Sequence, residues 1–222
     1  MAEGVLSENL ERLAELDCCA VSDALDALAI PGLAQGFQAF SCPGRISGRV
    51  VTVQLGDDDG RITRQHLGTS AVDSSGSDDV IVVAHNGRLD VAGWGGILSL
   101  GAKRQRVQGI IVDGACRDID EAREMGLPVY ALGTTARTAR GRVIERDWNV
   151  PVVMAGIDVA PGDLVIADGS GVAFIPATRM AEVIEKAEMI VRKEKLMAQA
   201  VRDGKPLAEV MGTNYETMLK KG

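Results

Sequence analysis

Residues 94–133, WGGILSLGAKRQRVQGIIVDGACRDIDEAREMGLPVYALG, alternate between helical and strand patterns and decide the predicted fold. Residues 94–106 have helical spacing, GIIVDG is an apolar strand, DIDEAREMG is a helix that Gly126 stops, and PVYAL is another strand. The buried strand DDVIVVAHNG, closed by a turn, precedes them. Strands that alternate with helices pair in parallel, so this segment predicts an α/β core.

The flanking segments add helices and hairpins to this core. Residues 7–29 predict two helices, with Ser7 and Asp17 as candidate N-caps, and CPGRISGRVVTVQL predicts a strand that GDDDG ends as a loop. TSAVDSSGSDD is typical of a loop or a short helix. VPVVMAGIDVAPGDLVIADGSGVAFIP strings short strands between glycine turns, which predicts antiparallel hairpins.

The C-terminal segment predicts one long amphipathic helix. ATRMAEVIEKAEMIVRKEKLMAQAVRDG has a single apolar stripe and ends at Gly204. The sequence has no recognisable linker, low-complexity tract or internal repeat. We therefore expect a single domain over residues 1–222, with residues 178–222 as a C-terminal helical extension.

Composition excludes some classes of partner. The 222-residue chain has a formal net charge of −7 and lacks a basic block that could follow a phosphate backbone, which argues against nucleic acid. Its apolar runs are shorter than the roughly 18 residues of a membrane helix, and its start does not resemble a signal peptide, so we expect a cytoplasmic protein. The four cysteines lack C-x-x-C spacing and are interpreted as reduced thiols. With only two histidines, any metal would be bound by oxygen atoms, which favours Mg²⁺ or Mn²⁺.

Glycines begin the helix of the opening segment. Gly93, Gly95 and Gly96 precede ILSLGAK, so the backbone N–H groups of residues 95–98 lie at a helix start, where an anion is favoured. A flexible turn is the alternative, and the residues alone leave both interpretations open. The segment is not a dinucleotide-binding fingerprint, because GWGGIL lacks the third glycine of G-x-G-x-x-G.

An Arg-Asp pair follows the next strand. Asp118 with Glu121 three residues later fits a helix capping box, a purely structural interpretation. Arg117, however, lies at the carboxyl end of a strand, where open α/β sheets bind ligands, and its planar guanidinium suits a carboxylate. The pair would then hold both ends of a 2-oxo acid, with Asp118 on a divalent metal.

The sequence favours covalent catalysis by a lysine, cysteine or serine less than it favours a metal-dependent mechanism. Lys103 lies among arginines on a predicted helix, which indicates a solvated face rather than a Schiff-base amine. Cys116 is more typical of a small strand-end residue than of an activated thiol, and no G-x-S-x-G elbow is present.

Segment 94–133 resembles the class II 4-hydroxy-4-methyl-2-oxoglutarate aldolase and ribonuclease-activity-regulator-A (RraA-like) family. The likeness extends to GRVVTVQL, DDVIVVAHNG and APGDLVIADGSGVAFIP, and it reaches VSDALDAL near the start. Its most specific part is a Gly or Asp, twenty intervening residues and then Arg-Asp, here Gly96, Arg117 and Asp118. The resemblance implies an αββα sandwich of the swivelling β/β/α type, here with N-terminal helices and a long C-terminal helix. It also implies self-association as a homotrimer or homohexamer with sites between subunits.

Site roles follow from the same resemblance. Arg117 would contact the substrate and steady its enolate, and Asp118 would anchor Mg²⁺ or Mn²⁺. Glu194 is the candidate metal ligand from a neighbouring subunit, with Glu188 second; a solvated charge is the alternative for both. The pyruvyl carboxylate would bind the backbone amides of Gly95, Gly96, Ile97 and Leu98.

The resemblance therefore implies a metal-dependent lyase that cleaves the C3–C4 bond of a small 2-oxo acid and yields pyruvate. Well-studied aldolases have an acid at the position of Gly96, thought to assist proton transfer. Its absence favours oxaloacetate decarboxylation over retro-aldol cleavage. The alternative function is a non-catalytic regulator of a ribonuclease, although such members are shorter and lack the long C-terminal helix.

Overall fold

The computed structural model describes residues 2–61 and 65–212, and within these ranges nine strands form one sheet. The described residues contain eleven strands in all: β1 (Leu33–Ala34), β2 (Gln38–Ala39), β3 (Ile46–Asp57), β4 (Asp79–Trp94), β5 (Gly109–Cys116), β6 (Val129–Thr134), β7 (Val143–Trp148), β8 (Val152–Met154), β9 (Ile157–Val159), β10 (Leu164–Asp168) and β11 (Gly171–Ile175). The sheet order is β1-β11-β10-β3-β4-β5-β6-β2, with β7 paired to β3, while β8 and β9 form a separate hairpin.

The centre of this sheet confirms the predicted α/β core. Strands β3, β4, β5 and β6 pair in parallel, whereas β10 and β11 form an antiparallel hairpin. The helices are α1 (Ala2–Ala14), α2 (Cys18–Ala27), α3 (Thr69–Ser74), α4 (Gly96–Arg104), α5 (Ile119–Glu124), α6 (Met180–Arg202) and α7 (Leu207–Val210). Helices α4 and α5 are the crossovers of two successive β-α-β units, as their apolar periodicity predicts.

Alternation along the strands divides the core into layers. In β4, Ile81 and Val83 pack with residues of α3, α4 and α5, while Val80 and Val82 pack with Val165 and other residues of β10 and β11. The opposite residues of β10 and β11 pack with α1, α2 and α6. The one sheet thus supplies two layers, with β10 and β11 packed over β4 to β6, and helices cover both outer faces.

Several boundaries differ from the sequence prediction. Asp17 caps α2, since its Oδ1 accepts the Ala20 N–H at 2.8 Å, but Ser7 caps no helix because α1 already begins at Ala2. Strand β3 continues into the predicted GDDDG loop as far as Asp57. The turn predicted to end β4 lies inside it: the backbone has positive φ at Asn86 and Gly87, but the strand continues to Trp94.

The long C-terminal helix is confirmed as α6. Glycine follows it at position 204, where φ is +86°, and this accounts for its end. Residues 213–222 of the predicted extension lie outside the described residues. Among the helices in the described ranges, none has both the length and the apolar character needed to cross a bilayer.

The two candidate caps give a direct stability test. Replacing Asp17 with Ala removes the bond to the Ala20 N–H, so we expect the free energy of unfolding to fall by about 1 kcal/mol in urea titrations. Ser7→Ala is the matched control and should change stability by less than about 0.5 kcal/mol, because Ser7 is an exposed position inside α1. Equal losses in the two variants would contradict this assignment.

Candidate active site

A cleft of about 210 Å³ opens at the carboxyl end of β5. It is smaller than the roughly 300–1,000 Å³ of sites for drug-sized ligands, which suits a small acid. The cleft brings together the start of α4, the Arg-Asp pair and two loops that precede α3 and β7. Its lining residues are His66, Leu67, Ala92, Trp94, Gly95, Gly96, Ile97, Leu98, Arg117, Asp118, Thr138, Ala139 and Arg140.

Asp118 links the end of β5 to the start of α4. Its Oδ2 accepts the Gly96 N–H at 2.9 Å and the Arg117 Nε–H at 3.0 Å. The residue has left-handed φ and ψ values of 57° and 39°, and its side chain makes no capping hydrogen bond to α5. The capping box predicted from Asp118 and Glu121 is therefore wrong, because the left-handed backbone turns the carboxylate towards α4.

The start of α4 leaves backbone donors at the cleft. Its N-cap, Gly95, contributes no side chain, and a Cβ atom there would lie 2.9 Å from Asp118 Oδ2. The Gly96 N–H is taken by Asp118. The N–H groups of Ile97 and Leu98 belong to the first turn and have no acceptor within the helix. The anion-site interpretation of these glycines thus has as its physical basis two N–H groups that the helix itself does not use.

Glu121 is a residue that sequence reasoning assigned only to capping. A Cβ atom at position 96 would lie 1.9 Å from Glu121 Oε2 and 3.1 Å from Asp118 Cβ. The Glu121 carboxylate thus occupies space that any side chain at position 96 would fill. The sequence signal that could have placed Glu121 near the cleft is its position three residues after Asp118, because this spacing puts both side chains at the start of α5.

Asp118 provides a partial donor set for a divalent cation. Both hydrogen bonds of Asp118 to described residues use Oδ2, so Oδ1 is the oxygen that could bind a cation. Mg²⁺ usually keeps several water ligands and is bound by only one or two carboxylates. Within residues 2–61 and 65–212, no group of three or more His, Cys, Asp or Glu side chains is arranged to hold a metal. The single free oxygen of Asp118 could hold only an ion that keeps most of its water ligands, as Mg²⁺ and Mn²⁺ do.

The two candidate metal ligands on helix α6, Glu188 and Glu194, do not line the cleft. Glu188 forms an ion pair with Arg12, with Nε–Oε1 at 2.8 Å, so it has a structural partner that joins α6 to α1. Burial and the nearby carboxylates of Asp17 and Asp23 raise the pKa of Glu194, which is on the outer helical layer. A metal-binding role for Glu194 thus requires a second copy of the chain and stays a prediction.

Other candidates have structural roles. Burial raises the pKa of the Cys116 thiol to about 12, which excludes an activated thiolate near neutral pH. Lys103 is exposed and donates to the Gly126 carbonyl, as expected for a solvated face. His85 Nε2 lies 2.9 Å from the Val91 carbonyl oxygen, and burial lowers its pKa, so the neutral ring donates.

The layered fold and this cleft define a mixed α/β protein with a small cleft at a helix start. The sequence model of the RraA-like family, Aldolase/RraA, matches residues 18–174. This chain belongs to the RraA-like family, as predicted, and it has the family fold.

Individual relatives agree with this assignment. Protein DlpA of Legionella pneumophila is 30% identical over 200 residues, which are 90% of this chain but 32% of DlpA, so the chain spans about a third of that relative. The 4-hydroxy-4-methyl-2-oxoglutarate aldolase of Thermus thermophilus is 30% identical over 63% of this chain and 81% of its own length. The structure of Streptomyces coelicolor RraAS2, described as an unusual member of the RNase ES inhibitor RraA family, is 26% identical and superposes with a TM-score of 0.75 over 85% of this chain and 94% of that one.

Thiol labelling tests the exclusion of a cysteine nucleophile. We expect iodoacetamide at pH 8 to modify the exposed Cys19 and to spare Cys116, which is buried and remains protonated. Mass spectrometry of peptides from the labelled native protein measures both sites, and labelling in urea shows that Cys116 reacts once it is accessible. Rapid native labelling of Cys116 would contradict the structural role.

Proposed function

We propose that this protein is a divalent-metal-dependent lyase that cleaves the C3–C4 bond of a small 2-oxo acid and releases pyruvate. The observation that carries the proposal is the convergence of Arg117, Asp118 and the α4 start on one small cleft. Relatives named 4-hydroxy-4-methyl-2-oxoglutarate aldolase support this choice of reaction.

Each residue has a defined task in this proposal. The Ile97 and Leu98 N–H groups bind the C1 carboxylate, and the α4 dipole strengthens that contact. The Arg117 guanidinium, held by Asp118 through its Nε, presents its remaining donors to the C2 oxygen, where negative charge develops in the enolate. Mg²⁺ or Mn²⁺, bound by Asp118 and water, would supply Lewis acidity.

Glu121 is the proposed carboxylate for proton transfer. In retro-aldol cleavage the C3–C4 bond electrons pass into the enolate, the C4 hydroxyl loses its proton, and C3 later gains one. Glu121 Oε2 lies over Gly96, where the aldolases resembled by the sequence have their acid. Because a carboxylate is available there from α5, the glycine no longer favours decarboxylation over retro-aldol cleavage.

The ribonuclease-regulator function remains the rival. The Streptomyces neighbour described as belonging to an RNase inhibitor family supports it at the level of overall fold. This chain has the 23-residue helix α6, whereas regulator-type members are expected to lack the long C-terminal helix, and its Asp118 lines the cleft.

Self-association is a further part of the proposal. Ile97 is 83% exposed and Leu100 is also largely exposed, and both lie on α4 beside the cleft. Exposed apolar side chains next to a site favour a subunit contact there. A second copy on this face is also what a role for Glu194 requires.

Pyruvate release tests the lyase proposal. We expect pyruvate from oxaloacetate, from 4-hydroxy-4-methyl-2-oxoglutarate, or from both, when Mg²⁺ or Mn²⁺ is present, and loss of activity with chelator. Asp118→Ala should lose at least roughly 100-fold in kcat/KM, because both the Arg117 contact and the cation ligand are removed. Asp120→Ala, a neighbouring exposed carboxylate on α5, is the control and should remain active. Metal-independent activity, or full activity of Asp118→Ala, would refute the proposal, and absence of pyruvate from both acids would favour the regulator.

The role of Glu121 is tested through its contact with Gly96. Glu121→Gln should lower kcat by roughly 100-fold, the lower end for a group that transfers a proton. Gly96→Ala should also lower kcat, because its Cβ displaces the carboxylate, and the double variant should be no worse than Glu121→Gln alone. Glu124→Gln on the same helix is the control. Independent, additive losses from Gly96→Ala and Glu121→Gln would show that the two positions do not act together.

A further inference from the structure

We infer that Arg140 binds the distal carboxylate of the substrate, so that the cleft selects 2-oxo diacids over 2-oxo monoacids. The inference rests on the proposed function and assigns to it a residue that determines specificity. Arg140 lies on the loop between β6 and β7 and lines the same cleft as Arg117, Ile97 and Leu98.

The loop that carries Arg140 is held in place by its own hydrogen bonds. The Ala92 N–H donates to the Arg137 carbonyl at 3.0 Å, which attaches the loop to β4 beside the cleft. Arg142 Nη1 donates to the Arg140 carbonyl at 3.2 Å, and the Arg140 N–H donates to Thr138 Oγ1 at 3.3 Å. The backbone of Arg140 is therefore fixed next to Thr138 and Ala139, which also line the cleft.

Of the two arginines that line the cleft, Arg140 is the one left to bind a second carboxylate. The Ile97 and Leu98 amides serve one carboxylate, and Arg117 is engaged by Asp118 next to the reacting oxygen. Among the residues that the structure describes, no side chain or carbonyl accepts a hydrogen bond from the Arg140 guanidinium, unlike that of Arg142. A planar guanidinium with free donors matches a carboxylate in a bidentate geometry.

This assignment separates the two candidate reactions. In retro-aldol cleavage of a 4-hydroxy-2-oxo diacid, the C5 carboxylate keeps its charge and leaves on the oxo-acid fragment. In oxaloacetate decarboxylation, the C4 carboxylate itself becomes neutral CO₂, so an ion pair with Arg140 would stabilise the reactant and oppose the reaction. Arg140 therefore favours retro-aldol cleavage of a diacid.

Binding of two matched acids tests the inference without turnover. 2-Oxoglutarate and 2-oxopentanoate share a five-carbon chain and differ in the distal carboxylate. Calorimetry with Mg²⁺ should show that the wild-type protein binds 2-oxoglutarate roughly tenfold more tightly, as expected for a charged hydrogen bond. Arg140→Met should lose this preference and keep its affinity for 2-oxopentanoate. Arg137→Met is the matched control, since Arg137 is an exposed arginine of the same loop that does not line the cleft, and it should keep the preference.

The remaining outcomes separate this inference from the proposed function. Three results would overturn the role of Arg140. They are equal wild-type affinities for the two acids, an unchanged preference in Arg140→Met, and an equal loss of affinity for both acids in that variant. With 4-hydroxy-4-methyl-2-oxoglutarate as substrate, Arg140→Met should raise KM roughly tenfold with little change in kcat. A diacid preference that depends on Arg140 in a protein that makes no pyruvate would support the inference and refute the lyase.

Discussion

The carboxylate of Asp118 is the contact on which the cleft depends. One oxygen, Oδ2, accepts hydrogen bonds from the Gly96 backbone and from the Arg117 side chain, and it thereby joins the end of β5 to the start of α4. This geometry requires a left-handed backbone at Asp118, which costs on the order of 1 kcal/mol for a residue other than glycine. Two hydrogen bonds to a charged acceptor, each contributing roughly 1.5 kcal/mol, offset that cost.

The layered fold explains why this contact forms where it does. Parallel pairing of β4 with β5 brings the two strand ends together, so the helix that follows β4 and the Arg-Asp pair that follows β5 meet at one edge of the sheet. The Arg117 N–H donates to the Trp94 carbonyl at 3.0 Å and continues the pairing up to the cleft. Buried valines and isoleucines on both faces fix the register of these strands, and the register in turn fixes the positions of the residues at the cleft.

Much of this arrangement could be predicted from the sequence. The alternation of apolar strands and amphipathic helices in residues 94–133 predicts the parallel core, and the positions of Gly96 and Arg117 predict the edge at which the cleft lies. The use of Asp118 could not be predicted, because a capping box and a left-handed bridge to another helix have the same local sequence. Backbone conformation decides between them, and it depends on α4, which lies 22 residues earlier in the chain. Ser7 was misassigned for a similar reason, since the apolar pattern does not show that α1 starts at Ala2.

The geometry at Gly96 links the glycine to Glu121 as one feature. An acidic side chain at position 96 would project from α4 into the space that Glu121 Oε2 fills from α5, with a Cβ-to-oxygen distance of only 1.9 Å. The two positions therefore cannot both place a carboxylate there without rearrangement. Glycine at 96 permits both the Asp118 hydrogen bond to its N–H and the approach of Glu121. Glycine at position 96 is thus what lets the Glu121 carboxylate approach the start of α4 from the neighbouring helix.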